Sequence, residues 1–195
     1  MVQVVSDEPG MLTAHLTAVH RASGAGIVVQ DYPRASGVHI DASALAAVVA
    51  PLPFVAAVKA ESTPTPPAVA TLAAGCGAPV FGGLGGVALI DELAAGAAGA
   101  MTGFSFPEGL IATCEAFERG GVDAARDAWS RWMPLAVFEQ QDGLALAIRK
   151  EILHRRGILA HARARPPSKP FPEVLETLLA GHLTDAERRL ATPRH

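Results

Sequence analysis

Short apolar runs alternate with longer amphipathic segments over the first two thirds of the chain. Four of the runs predict buried strands, at residues 26–30, 54–58, 79–81 and 99–102. Amphipathic patterns around them predict helices, at residues 11–22, 41–49, 65–74 and 87–95. Strands without polar alternation are buried on both faces, as in a parallel sheet. Because successive strands lie about 20 to 30 residues apart, the length of a βα repeat, the pattern predicts an α/β fold.

Two α/β architectures fit this pattern, a doubly wound sheet and a barrel. No GxGxxG motif follows the first strand, which disfavours a dinucleotide-binding doubly wound sheet. From residue 107 onward the pattern is helical, with a proline-rich connector at residues 166–170 and an expected loose tail at residues 192–195. We therefore predict an α/β body over residues 1–120 and a helical region over residues 121–195.

Composition and charge exclude several kinds of partner. The net charge of −3 disfavours nucleic acid, and we interpret the basic cluster as a solvated face or a subunit contact. That cluster comprises Arg149, Lys150, Arg155, Arg156, Arg163 and Arg165. The two cysteines and seven histidines lack metal-ligand or disulfide spacings, so no metal site is expected. Without a signal peptide or an apolar run of membrane-spanning length, we expect a cytoplasmic protein that does not bind membranes.

Lys59 is the first candidate for chemistry, because it ends an apolar strand and is one of only three lysines. In a parallel barrel the carboxyl ends of the strands form the mouth of the active site. Partial desolvation there disfavours the charged form of an amine, and a neutral amine attacks a ketone to form an imine. The alternative is a lysine whose stem packs at the strand end while its ammonium reaches solvent, and position alone favours this alternative.

The sequence around Lys59 resembles the dihydrodipicolinate synthase / N-acetylneuraminate lyase family. Its segment FVAAVKAES, residues 54–62, is similar to the lysine strand of the family, the sixth. Three further segments resemble the family's fifth strand, its seventh and eighth strands, and its helical domain, at residues 27–37, 80–107 and 134–157. The resemblance implies a partial TIM (β/α)8 barrel, about strands four or five to eight, followed by a C-terminal helical segment.

The same resemblance implies a function. Lys59 would form a Schiff base with pyruvate or a related 2-oxo acid, in a lyase or aldolase that needs no metal or organic cofactor. The other partner would be an aldehyde, and the resemblance also implies a homo-oligomer. A sugar-acid dehydratase or hydratase-aldolase of the same family is an alternative.

The proton relay departs from the family pattern. The family uses a tyrosine on its fifth strand, and a gapless match of Pro33 and Gly37 places Gln30 there. The one tyrosine, Tyr32, follows two residues later and is our candidate catalytic relay, by a strand shift or a bulge. Its alternative role is a turn residue before Pro33. Gln30 is expected to bind substrate, because glutamine orients a ligand but is no acid near neutral pH.

Other candidate substrate-binding groups follow from the resemblance. The backbone of Gly82 and Gly83 is expected to line the pocket, although these glycines also suit a tight turn. Thr102, at the end of the last strand, is expected to bond substrate or to satisfy a local backbone group. The carboxylates of Asp31 and Glu61 flank the same mouth and would keep a lysine charged unless they point away.

The resemblance also leaves family features without a counterpart. A complete barrel needs eight strands and about 250 residues. This sequence matches strands five to eight, with residues 2–5 as the possible end of strand four, and the family's Gly-Thr-Thr carboxylate-binding turn is not matched. A second hypothesis is therefore a truncated, non-catalytic remnant or assembly subunit of the same fold.

Overall fold

Five parallel strands form one sheet in the computed structural model, which describes residues 1–191. The strands are β1 (Val2–Gln3), β2 (Ile27–Asp31), β3 (Val55–Ala60), β4 (Val80–Gly82) and β5 (Gly99–Ala100). Each strand pairs with the next in chain order, so the sheet order is β1-β2-β3-β4-β5. A doubly wound sheet reverses its order at a switch point, whereas consecutive order is the arrangement of a (β/α) barrel. The loose tail expected at residues 192–195 lies outside the described residues.

Helices follow the strands and continue to the end of the described chain. The first five are α1 (Pro9–Ser23), α2 (Pro33–Ser36), α3 (Ala42–Val49), α4 (Thr65–Gly75) and α5 (Leu89–Ala94). The remaining four are α6 (Pro107–Ser130), α7 (Met133–Glu139), α8 (Ala145–Arg155) and α9 (Glu176–Ala191). Short 3₁₀ turns occupy Leu84–Gly86 and Glu173–Leu175. Within residues 1–191 every helix is too short or too polar to cross a bilayer.

One hydrophobic cluster joins the sheet to the helices that follow its first strands. Val29 of β2 and Val58 of β3 are fully buried in it, and alternate residues of a strand share a face. The helices α1, α3 and α4 contribute the buried leucines Leu12, Leu16, Leu45 and Leu72. Burying one such side chain stabilises the fold by about 1.5–3 kcal/mol. The residues of β2 and β3 that alternate with Val29 and Val58 therefore face the other side of the sheet.

A second cluster holds the helical region against the end of the sheet. Its members come from α5, from the loop after β5 and from α6 to α9. Phe104 of that loop contacts Trp129 and Trp132 edge-on, with ring centroids 5.3 and 6.0 Å apart. The loop is thus anchored by aromatic packing. The predicted boundary between residues 120 and 121 stays a prediction, since α6 runs across it and only Gly121 departs from helical geometry.

The structure changes three local predictions. The strand predicted to end at Thr102 ends at Ala100, because the last backbone bond of the pair runs from Met101 N to Gly82 O. The helix predicted from residue 87 begins at Leu89, after a glycine turn with positive φ angles. Within the helical pattern that begins at residue 107, which indicated helices at residues 107–118 and 122–138, the structure instead places the first division after Ser130.

Candidate active site

Lys59 and Gln30 lie side by side on neighbouring strands. They are register partners in the β2–β3 pair, so both side chains project from the same face. The residues flanking Lys59, Val58 and Ala60, are fully buried in the cluster on the helix side. Lys59 therefore points away from that cluster, near the carboxyl end of β3.

Glu61 is the immediate partner of both side chains. Its Oε2 lies 2.8 Å from Lys59 Nζ and accepts a hydrogen bond from Gln30 Nε2 at 2.6 Å. Its Oε1 accepts the backbone N–H of Leu84 at 3.3 Å. The ion pair is largely shielded, since the Lys59 side chain is 12% exposed and that of Glu61 is 6% exposed. The lysine is thus held in a partly dry position by a fixed carboxylate.

The carboxylates of Glu61 and Asp31, both predicted to flank the mouth of the site, point to opposite sides of the sheet. Glu61 points toward Lys59, whereas Asp31 is paired in register with Ala60 and lies on the helix side, 1% exposed. Burial raises the pKa of Asp31 to about 6, an effect that the charge of Glu61 reinforces and that of His39 opposes. Sequence reasoning gave the two acids the same place, and strand alternation separates them.

Gly82 and Gly83 provide room for two buried carboxylates. A Cβ built on Gly83 would lie 2.4 Å from Glu61 Oε1, and one on Gly82 would lie 1.7 Å from Glu92 Oε2. Glu92 is fully buried and accepts the Thr65 hydroxyl at 2.6 Å, and its pKa is raised mainly by burial. The close approach requires glycine at both positions. A substrate contact by their backbone stays a prediction.

Thr102 satisfies a local backbone group. Its Oγ1 accepts the N–H of Gly85 at 2.6 Å, the second of the two roles that the sequence left open. The bond ties the loop after β5 to the glycine turn after β4. Because the oxygen is the acceptor in this bond, the Thr102 hydroxyl hydrogen stays available to another acceptor.

Tyr32 occupies the N-cap position of α2, immediately before Pro33. Its carbonyl accepts the backbone N–H groups of Ala35 and Ser36, each at 3.0 Å. Within residues 1–191 the structure shows no hydrogen bond from its hydroxyl to Lys59 or Glu61. Gln30 is the residue beside the lysine, and a catalytic role for Tyr32 stays a prediction.

The sequence did not predict a cluster of polar side chains that α7 and α8 contribute. Glu139 is fully buried, and its carboxylate accepts the Ser105 N–H at 3.1 and 3.3 Å. Burial raises the pKa of Glu139 to about 7, while the Ser105 bonds and the charges of Arg149 and Arg156 act against that rise. Arg149 donates to Gly103 O at 2.6 Å, so this arginine is not simply part of a solvated face. These contacts span more than 30 residues and leave no local sequence signal.

The sheet order and the lysine site define an α/β protein that resembles the (β/α)-barrel lyases. A curated relative, L-2-keto-3-deoxyarabonate dehydratase of Azospirillum brasilense, is 34% identical over 166 residues. The match covers 83% of this chain and 52% of the relative. No family model matches the chain.

Solved structures give the same answer at the level of fold. Dihydrodipicolinate synthase of Rhodopseudomonas palustris superimposes with a TM-score of 0.81 at 26% identity, covering 94% of this chain and 62% of that one. The enzyme from Thermotoga maritima gives a TM-score of 0.80 at 20% identity, with coverages of 95% and 64%. These similarities support the dihydrodipicolinate synthase / N-acetylneuraminate lyase family as the family that this chain resembles, and the chain spans about half the length of its curated relative.

Proposed function

We propose that this chain carries the Schiff-base site of a lyase that acts on 2-oxo acids, with Lys59 as the nucleophile. The observation that carries the proposal is the shielded Lys59–Glu61 pair at the carboxyl end of β3, with Nζ and Oε2 2.8 Å apart. A lysine in such a place is able to condense with a ketone once its proton is removed. Lys150 and Lys169, the other lysines, lie outside the sheet.

Glu61 is suited to move the protons of this reaction. Its carboxylate takes a proton from the Lys59 ammonium, and the neutral amine then attacks the C2 carbonyl of the substrate. The resulting carbinolamine loses its hydroxyl as water when a proton returns to that oxygen, which leaves a protonated imine. The imine withdraws electrons from C3 and so makes the next bond cleavage possible.

Gln30 positions the carboxylate in this scheme. Its amide donates to the same Glu61 oxygen that faces the lysine, at 2.6 Å, and thereby fixes the orientation of that oxygen. Tyr32 is proposed as a second proton relay. The backbone of Gly82 and Gly83 and the Thr102 hydroxyl are proposed to line the pocket.

We favour a sugar-acid dehydratase over a carbon–carbon lyase. The support is the Azospirillum brasilense relative, whose name states a dehydratase of a 2-keto-3-deoxy sugar acid. In dehydration a base removes a proton from C3, the electron pair forms the C3–C4 double bond, and the C4 hydroxyl takes up a proton from the conjugate acid of that base and leaves as water. In aldol cleavage the C3–C4 bond breaks instead, the C4 hydroxyl loses its proton and an aldehyde leaves. Similarity to dihydrodipicolinate synthases keeps a pyruvate-linked lyase as the second candidate.

Product analysis distinguishes the reactions. The purified chain is incubated with 2-keto-3-deoxyarabonate, and proton NMR follows the substrate, any released aldehyde and any pyruvate. Substrate loss without release of pyruvate supports the dehydratase, and equal amounts of pyruvate and glycolaldehyde support the lyase. Turnover that persists in a Lys59→Met variant would contradict both. Absence of turnover in a folded chain would favour the non-catalytic alternative.

A further inference from the structure

Gln140 and Arg149 bring the helical region to the edge of the proposed site. A Cβ built on Gly85, in the turn after β4, would lie 2.7 Å from Gln140 Oε1. Arg149 Nη1 donates to Gly103 O at 2.6 Å, in the loop after β5. Thr102, beside Gly103, bonds Gly85 at 2.6 Å, so the two loops and the two side chains form one contact group.

This contact group retains hydrogen-bond donors that the protein does not use. The Arg149 guanidinium has five N–H groups. Within the described residues it donates from Nε to Ala145 O at 3.0 Å, from Nη1 to Gly103 O, and from Nη2 to Gln140 Oε1 at 3.4 Å. Two N–H groups remain, and the Gln140 amide nitrogen donates to no group in residues 1–191. Both side chains are only partly buried.

The buried Glu139 keeps the group in place. It binds the Ser105 backbone N–H, two residues after Gly103, and its charge acts on Arg149. Because Glu139 precedes Gln140 directly, one short segment fixes both the loop and the glutamine. A rigid support of this kind allows polar groups to select a ligand by geometry.

We propose that Gln140 and Arg149 determine substrate specificity by binding the distal hydroxyl oxygens of a polyhydroxylated 2-oxo acid. The inference rests on the proposed Schiff base at Lys59. A series of contacts links Lys59 to Gln140: Lys59 pairs with Glu61, Glu61 accepts the Leu84 N–H, and Gly85, next to Leu84, lies against Gln140. The donors therefore meet the part of the substrate several bonds from the imine carbon, rather than the carboxylate attached to that carbon.

Borohydride trapping measures this specificity without requiring turnover. Sodium borohydride reduces the imine to a stable amine, and the concentration dependence of the adduct reports binding of each acid. The wild-type chain is compared with Arg149→Met, Gln140→Leu and the control Arg126→Met. Arg126 is 60% exposed and pairs with Asp123 on α6, so its loss tests the effect of removing any surface arginine. Each variant is titrated with pyruvate, which has no distal hydroxyls, and with 2-keto-3-deoxyarabonate.

The ratio of the two half-saturating concentrations gives the result. Because a hydrogen bond to a charged donor discriminates by roughly tenfold or more, Arg149→Met should lower the preference for the sugar acid about tenfold. Gln140→Leu should lower it less, and Arg126→Met should leave it unchanged. An unchanged preference in both site variants, or an equal loss for both acids, would overturn the inference. Absence of any adduct in the wild-type chain would instead refute the Schiff base on which it rests.

Discussion

Replacing Gly83 by alanine tests the contact between the glycine turn and the lysine site. The new Cβ would lie 2.4 Å from Glu61 Oε1 and 2.5 Å from Glu61 Cγ, so the carboxylate must move. The movement disrupts the Lys59 ion pair at 2.8 Å and the Gln30 hydrogen bond at 2.6 Å. Breaking a buried ion pair costs about 3–5 kcal/mol, and relaxation of the turn makes about 2–3 kcal/mol the expected loss.

Two measurements check this expectation. Urea unfolding followed by circular dichroism gives the free energy of unfolding, and borohydride trapping with pyruvate gives the reactivity of Lys59. Gly83→Ala should unfold at lower urea and trap at least tenfold more slowly. Gly181→Ala is the matched control, since its Cβ meets no atom within 4 Å and alanine is the better helix former by about 0.5–1 kcal/mol.

A double-mutant cycle isolates the cause. If the added methyl group acts by displacing Glu61, then Gly83→Ala should cost little in a Glu61→Ala background, where its steric partner is absent. Equal costs in the two backgrounds would refute the reasoning, because the loss would then come from the backbone of the turn. A Gly83→Ala variant that unfolds at the same urea concentration as the wild-type chain, and that is trapped at the same rate, would refute it as well.

Three further predictions concern buried groups. The pKa of Glu139, about 7, lies above its ordinary value of 4.5, so the folded chain loses stability as the pH rises between these values. Glu139→Gln should remove up to about 3 kcal/mol of that pH dependence, and an unchanged slope of unfolding free energy from pH 5 to 8 would contradict the assignment. The raised pKa of Asp31 likewise makes the folded chain lose up to about 3 kcal/mol of unfolding free energy as the pH rises from 4 to 6. Asp31→Asn should remove this loss, which urea titration at each pH measures. Trp129→Ala should lower the unfolding free energy by about 3–5 kcal/mol, because its ring is fully buried against Phe104; a loss below about 1 kcal/mol in urea unfolding would show that this packing is dispensable.

The strands and the lysine could be predicted because their signals are local. Apolar runs of strand length, separated by helical patterns, located β2 to β4 within one or two residues. The identity of Lys59 as the strand-end lysine followed from the same runs. The sequence also indicated Glu61 as a neighbour of Lys59, but it did not decide whether the carboxylate points toward the lysine or away from it. In the structure Glu61, two residues after Lys59, lies on the same face of the sheet, and the glycine turn leaves space for it.

The contacts of Arg149 and Glu139 with the loop after β5 could not be predicted, for a physical reason. Arg149 reaches Gly103 across 46 positions, and Glu139 reaches Ser105 across 34. Such contacts depend on how α7 and α8 pack against the loop after β5, which hydrophobic periodicity does not encode. In the sequence Arg149 therefore looked like one member of a surface cluster.

Peptide mapping after borohydride reduction tests the central claim most directly. The chain contains three lysines, so the site of a reduced 2-oxo acid adduct is unambiguous. The account predicts that the peptide containing Lys59 gains the mass of the adduct, and that the peptides containing Lys150 and Lys169 do not. A folded chain whose Lys59 peptide stays unmodified at saturating 2-oxo acid would contradict it.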